Sequence, residues 1–350
     1  MKKILFATTA LVASTGFAMA QSVDLSGSAE MGIFGGETAA NVDIEDQFHT
    51  DIDVTFSMSG ETDGGLTFGA SVDIDEQIGD NNATTGGAES GATRDDSDDG
   101  GATIFVSGAY GTLTMGDTDG ALDWAMDEAI IGASLGDNHE HGGYNGNSLL
   151  DGAFGLDGQI ARYDYSFGGF SVGVSAEVQD AAGGDDTFGV GARYDGEFGT
   201  IAYAFGLGYQ ENGDNNGAAA GGTSASALGF SASMSMDTGL SAIFNYTDFD
   251  DAFTNAAAGT TFGGFVAPGI EINDHIGVAV GYEFGQLLVA ANYGQFDTSN
   301  GDVDGYGLIA NYDLGGGASL QAGYGRSDYD NGAGPDLDRH TYSFGIAMAF

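Results

Sequence analysis

Four aspartates fall within five residues, Asp95, Asp96, Asp98 and Asp99, just before Gly100 and Gly101. Hard cations take several carboxylate and carbonyl oxygens at once, so these four are candidate ligands for Ca²⁺ or Mg²⁺. The spacing is not that of an EF-hand, and a solvated acidic loop is the competing reading. His139, Glu140 and His141 invite a zinc reading, but neighbouring positions in a Gly- and Asn-rich stretch lack the i, i+4 geometry of HExxH. Catalysis finds little support: the chain has no Cys, no GxSxG elbow, no phosphate-binding loop, and Lys only at Lys2 and Lys3. We therefore expect no enzyme and no required cofactor. What remains is electrostatic chemistry, carried by acids concentrated in polar connectors and by very few arginines.

Those residues sit in an unusual chain. Lys2 and Lys3 precede an apolar stretch from Ile4 to Met19, and Ala18-Met19-Ala20 fits a small-x-small cleavage site. Residues 1–20 are thus expected to be a cleaved signal peptide and residues 21–350 a single domain. Loss of the two lysines moves the formal charge from −45 to −47 and leaves five arginines against 52 acidic residues. Such a balance excludes nucleic acid as a partner, because phosphate contacts need Lys and Arg. Cations become the natural company. Without cysteine, an exported chain of this size must be held by hydrogen bonds and packing alone.

No apolar run after the leader approaches the roughly 18 residues of a membrane helix. Gly at 63 of 350 residues, two prolines, 15 Tyr and 23 Phe suit many strands joined by tight turns. Period-two alternation runs the whole length. Phe48, Thr50, Ile52, Val54, Phe56 and Met58 share one face, while His49, Asp51, Asp53, Thr55, Ser57 and Ser59 share the other. The same holds from Leu66 to Asp75, where Asp73 and Asp75 take the polar face, from Phe170 to Val178, and from Tyr306 to Tyr312. The last strand, Arg339 to Phe350, and the first, Val23 to Ile33 with Glu30 on its polar side, show it too. Pairing of these two would leave no open edge.

Connectors alternate between turn-sized and long. Gly168-Gly169 and Phe284 to Gln286 are short; Gly35 to Gln47, Gln77 to Gly101, Asp117 to Gly158, Asp250 to Asp274 and Asp297 to Asp302 are longer and polar. Short turns at one end and long loops at the other are the rule of an outer-membrane barrel, and the pattern predicts an all-β, closed antiparallel transmembrane β-barrel of about 16 strands. The oily faces carry almost no charge, which lipid demands at about 2–4 kcal/mol per midplane Arg or Lys and a soluble sandwich does not. A secreted calcium-binding β-roll fails because its nine-residue repeat never recurs.

The ordered motifs "SVDLSGSAEMGI", "FSMSGETDGGLTFGASV", "IFVSGAYGTLTMGDTDGA", "YDYSFGGFSVGVSAE" and "NYDLGGGASLQAGYG", with the terminal Phe350, resemble the general-diffusion porins of alphaproteobacteria, of the Rhodobacter type. That resemblance implies a homotrimer in outer-membrane lipid and lipopolysaccharide, whose third long loop folds into the lumen of a water-filled channel. Here that loop is Asp117 to about Gly158. Leu122, Trp124, Ala125, Met126, Ile130, Ile131 and Leu135 would pack it on the wall, and Asp117, Asp119, Asp123, Asp127, Glu128 and Asp137 would line the constriction. Such porins set a basic wall cluster against the acidic loop. This chain departs from that pattern: only Arg162 and Arg193 are basic candidates on the lumenal wall, among Glu30, Asp51, Asp53, Asp73, Asp75 and Glu177. Small hydrophilic solutes and cations are the expected traffic. A substrate-selective channel and a plugged structural or adhesive barrel are the alternative readings.

Overall fold

The computed structural model describes residues 21–37, 43–75, 101–151, 159–178, 186–213, 224–253, 270–330 and 336–350. The expected leader at 1–20, the acids Asp95, Asp96, Asp98 and Asp99, and the end of the long loop at 152–158 lie outside the described residues.

Sixteen strands follow one another: β1 (Gln21–Glu37), β2 (Asp43–Glu61), β3 (Thr67–Asp75), β4 (Ala102–Gly108), β5 (Gly111–Asp117), β6 (Gln159–Phe167), β7 (Phe170–Glu177) and β8 (Thr187–Phe198); then β9 (Ile201–Asn212), β10 (Ala225–Met236), β11 (Leu240–Phe253), β12 (Glu271–Phe284), β13 (Leu287–Thr298), β14 (Gly301–Gly315), β15 (Ala318–Tyr329) and β16 (Leu337–Ala349). Each pairs antiparallel with its neighbours in sequence, and β1 closes on β16 with Met31 opposite Ile346 and Ile33 opposite Phe344. Closure is why an oily C-terminal strand is no hazard: its ladder groups are all taken.

The alternating faces are oriented as the sequence predicts. Val23, Leu25, Ile52, Phe56, Val172, Val190, Leu207 and Phe344 are exposed on the outside of the cylinder, where hydrocarbon takes the place of a protein core. Beside the short turns at 168–169 and 199–200, Phe167, Phe170, Tyr194, Tyr203 and Phe205 form a continuous ring ladder with centroids 4.6–6.1 Å apart. This is the aromatic girdle of one membrane interface.

At the loop end the strands run further than the oily pattern indicates. β2 starts at Asp43 rather than Phe48, β9 reaches Asn212, and the stretch Asp297 to Asp302 is a tight turn with Thr298 paired to Gly301. Above the hydrocarbon both faces meet water or the protein's own loops. Hydrogen-bond ladders therefore continue without any demand for alternating apolar residues.

The inside is not uniformly polar. Phe249, Ala252, Ile272, Phe296, Val303 and Tyr329 of the wall bury against Leu122, Met126 and Leu150. A small apolar core thus exists within the barrel, between wall and loop.

Candidate channel constriction

The segment after β5 enters the barrel and travels along its inner wall. A single helical turn, α1 (Ala121–Ala125), buries Ala121, Leu122 and Ala125 against β7, β8 and β9. Its seat is made of glycine. A Cβ on Gly191 would stand 1.9 Å from the Ala121 carbonyl oxygen, and one on Gly206 2.2 Å from that of Ala125. Loop backbone replaces the side chains these wall positions lack.

From there single polar side chains of successive strands hold the loop. Ala121 N–H donates to Ser175 Oγ on β7 (2.8 Å), and Asp127 N–H to Ser231 Oγ on β10 (2.9 Å). Asn311 on β14 grips Ala133 at both N–H and C=O. The far end is a 3₁₀ turn, Leu135–Asp137, where Gly136 N–H donates to Glu30 Oε2 on β1 (3.2 Å). On the return, Ser327 Oγ accepts from Gly142 N–H (2.8 Å), His275 Nε2 donates to the Gly143 carbonyl (2.8 Å), and Asn212 Nδ2 donates to that of Leu150 (2.9 Å). The described part of the loop is therefore laid on the wall from β6 round to β1 and back.

Asp151 ties exit to entry. Its Oδ2 accepts from Gly120 N–H (2.7 Å) and its Oδ1 from Gln210 Nε2 (2.5 Å). Burial outweighs those bonds and pushes its carboxyl up to about 7, with Glu177 and Asp119 adding repulsion. A raised folded-state pKa means the folded loop holds the proton more tightly, so this stabilisation is full below about pH 4 and is lost as pH rises through about 7. The Asp151→Asn variant should flatten the fall in thermal midpoint between those pH values, as followed by circular dichroism in detergent; an unchanged slope would remove Asp151 from that role.

Two arginines are committed to the loop. Arg193 Nη1 lies 2.6 Å from Asp127 Oδ1, which also takes a bond to its other oxygen from Ser233 Oγ (2.6 Å). Arg162 donates to the Asp119 carbonyl (2.6 Å), approaches its carboxylate at 3.7 Å and lies over the Trp124 ring. Arg326 instead shares the outward face of β15 with Tyr324, in keeping with the alternation, and pairs there with Asp328 and Asp338. Each of these three guanidiniums is spent on a neighbouring carboxylate.

The predicted acids are placed as follows. Asp119 is 59% exposed at its side chain, Asp123 and Asp127 lie on or just after α1, and Glu128 accepts from Tyr144 Oη. Asp137 is at the far turn beside Glu30, whose cross-strand partner is Asp51. Asp53 and Asp73 accept from Ser28 and Thr55 on the lumenal face. These acids are strung along the loop's path and the wall instead of forming one cluster. Asp117 does not join them: β5 continues through it, and it shares the outward face of Leu113 and Met115, opposite Gln159. His139, with its pKa lowered to about 4 by burial, bonds Ser134 Oγ at 2.8 Å, while His141 Nδ1 accepts from Gly143 N–H. They serve loop packing.

Sequence reasoning missed the anchors Ser175, Ser231, Gln210, Asn212, Asn311, Ser327 and Asp151. It also read the glycine excess as turns. A signal was present: Gly189, Gly191, Gly206, Gly208, Gly305 and Gly307 all occupy lumenal positions in mid-strand.

A closed barrel with a lipid-facing oily wall and an inner face narrowed by its own third long loop defines a transmembrane channel protein. The chain belongs to the Gram-negative porin family, whose family model matches residues 7–332, and its place is the bacterial outer membrane. It is 33% identical over 321 residues to a porin of Rhodobacter capsulatus, covering 88% of this chain and 95% of the relative. A porin structure refined at 1.8 Å resolution is 28% identical and superposes with a TM-score of 0.67 over 94% of this chain and all of the other. An engineered variant of Rh. blastica porin, 18% identical with a TM-score of 0.55 over the same shares, has the same fold.

Proposed function

We propose that the protein is a passive, cation-selective pore for small hydrophilic solutes and ions, with no chemical step and no cofactor needed for passage. The observation that carries this reading is the pairing of the two lumenal arginines, Arg162 and Arg193, with carboxylates beside them, in a lumen that also holds Glu30, Asp51, Asp53, Asp73, Asp119, Asp123 and Asp137. At a Debye length of about 8 Å in physiological salt, fixed charges along a narrow passage stay incompletely screened. The flat course of the loop favours an open bore over a plugged structural barrel, and the pairing of both lumenal arginines among the described residues argues against an anion-selective site.

The reversal potential across a KCl gradient tests this. The parent protein should favour K⁺. The triple variant D119N/D123N/D137N should lower the cation-to-anion ratio by on the order of tenfold, each carboxylate being worth about 1 kcal/mol to an ion at 4 Å in water. Chloride preference in the parent would refute the reading.

Trimeric assembly, contact with lipopolysaccharide, removal of residues 1–20 and Ca²⁺ or Mg²⁺ binding at Asp95, Asp96, Asp98 and Asp99 belong to the same proposal. The resemblance supports the first two, the leader pattern the third, and the acid spacing the last.

A further inference from the structure

Glu30 and Asp51 face each other directly across the β1–β2 pair, and His49 is opposite Gly32, one step along the same lumenal face. Two carboxylates in directly opposed positions repel one another, and here nothing in the alternation would place a lysine or arginine between them. Their ligand oxygens and the imidazole nitrogen all lie within 4.8 Å of one another, and among the described residues this is the one such group of three. His49 is 95% buried, since only 5% of its surface is exposed, and its Nε2 makes no hydrogen bond. That nitrogen stands 3.4 Å from Glu30 Oε2, too far for a good N–H···O bond. It is, however, the edge of a tetrahedron: ligands held about 2.0–2.2 Å from zinc are separated by about 3.3–3.6 Å.

We propose that Glu30, His49 and Asp51 form a binding site for a transition-metal dication of the zinc type. An imidazole with two carboxylates suits zinc, cobalt or nickel, whereas Ca²⁺ and Mg²⁺ take oxygen alone. The partly exposed carboxylates open towards the lumen, which leaves a fourth position for water. Buried Phe34 packs edge-on near the imidazole, with centroids 6.1 Å apart, and supplies the apolar shell that orients it. Because Glu30 Oε2 also accepts from Gly136 N–H, the ion would share a ligand with the far turn of the loop. It would cancel two lumenal charges and pin loop to wall at one point. This site is distinct from the Asp95 to Asp99 cluster and does not depend on which ion the pore prefers.

The test uses the full barrel in detergent, stripped with EDTA and titrated with Zn²⁺ under a large excess of Ca²⁺ that occupies weak acidic sites. One Zn²⁺ per chain should bind and resist that excess, and Co²⁺ in its place should give a ligand-field band showing nitrogen coordination. His49→Gln and, independently, Asp51→Asn should each weaken Zn²⁺ binding at least about tenfold, while Asp63→Asn in the short turn after β2 should not. Heat-modifiable migration on gels verifies that each variant is a closed barrel. If His49→Gln does not fold, Asp51→Asn decides. Absence of a Ca²⁺-resistant site, a Co²⁺ spectrum without nitrogen coordination, or unchanged affinity in the folded variants would overturn the proposal.

Discussion

Gly191→Val is expected to dislodge the first turn of the third loop and to disturb conduction more than any single neutralised acid. A β-carbon at Gly191 meets the Ala121 carbonyl at 1.9 Å and Ala125 Cβ at 2.8 Å. The turn cannot slide aside, because Leu122 Cα is already 2.6 Å from where a Gly208 β-carbon would be and the Ala125 carbonyl abuts Gly206. Overpacking costs about 1–3 kcal/mol, and lifting α1 also forfeits the bonds to Ser175 and Ser231, at about 1 kcal/mol each. The ladder of β8 itself tolerates valine. The barrel should therefore stay closed while the loop moves into the bore, with single-channel conductance reduced at least about twofold, frequent closures, and new protease cleavage between residues 118 and 151. Val190→Ala, on the lipid side, is the control. Unaltered conductance together with a protected loop would show that the glycine seat is not what holds it.

Arg193→Gln should have the second largest effect. Asp127 sits between Arg193 and Ser233, with about a fifth of each charged side chain exposed. Removing the guanidinium leaves a largely buried carboxylate with the Ser233 hydroxyl as its remaining side-chain donor, a loss of about 2–3 kcal/mol at this depth. Amide exchange should accelerate across residues 121–135, because local opening there no longer breaks an ion pair. The double variant D127N/R193Q should recover most of the protection, as it removes the stranded charge along with its partner. Equal exchange in the single and double variants would mean the pair contributes nothing to seating the loop.

The barrel was readable because lipid imposes a rule on every strand. A charge among Val172, Val174 and Val190 would be penalised locally, so alternation survives in short windows and needs no knowledge of partners. The strand ends at Asp43 and Asn212 escaped that rule, since they project beyond the hydrocarbon. Apolar loop residues such as Leu122 and Leu135 were also readable as wall contacts. The loop's route was not. It depends on isolated pairs far apart in sequence, such as Ala121 with Ser175 and Gly142 with Ser327, and one serine at a lumenal position looks like any other. Gly191 and Gly307 carried information of a different kind: a missing side chain in mid-strand marks a close backbone approach, but reading it requires assigning each glycine to a face first. Asp117 shows the opposite error. Counted with its loop, it belongs by register to β5 and faces outward with Met115.

Single-channel conductance of the parent protein in planar bilayers, measured in KCl and repeated with bulkier ions, tests most directly whether a loop lying flat on the wall leaves a water-filled passage. Steady open-state conductance in KCl that falls with cation size, and falls little when only the anion is enlarged, is the predicted result. Silent bilayers despite correctly folded, inserted barrels, or currents carried chiefly by the anion, would contradict it.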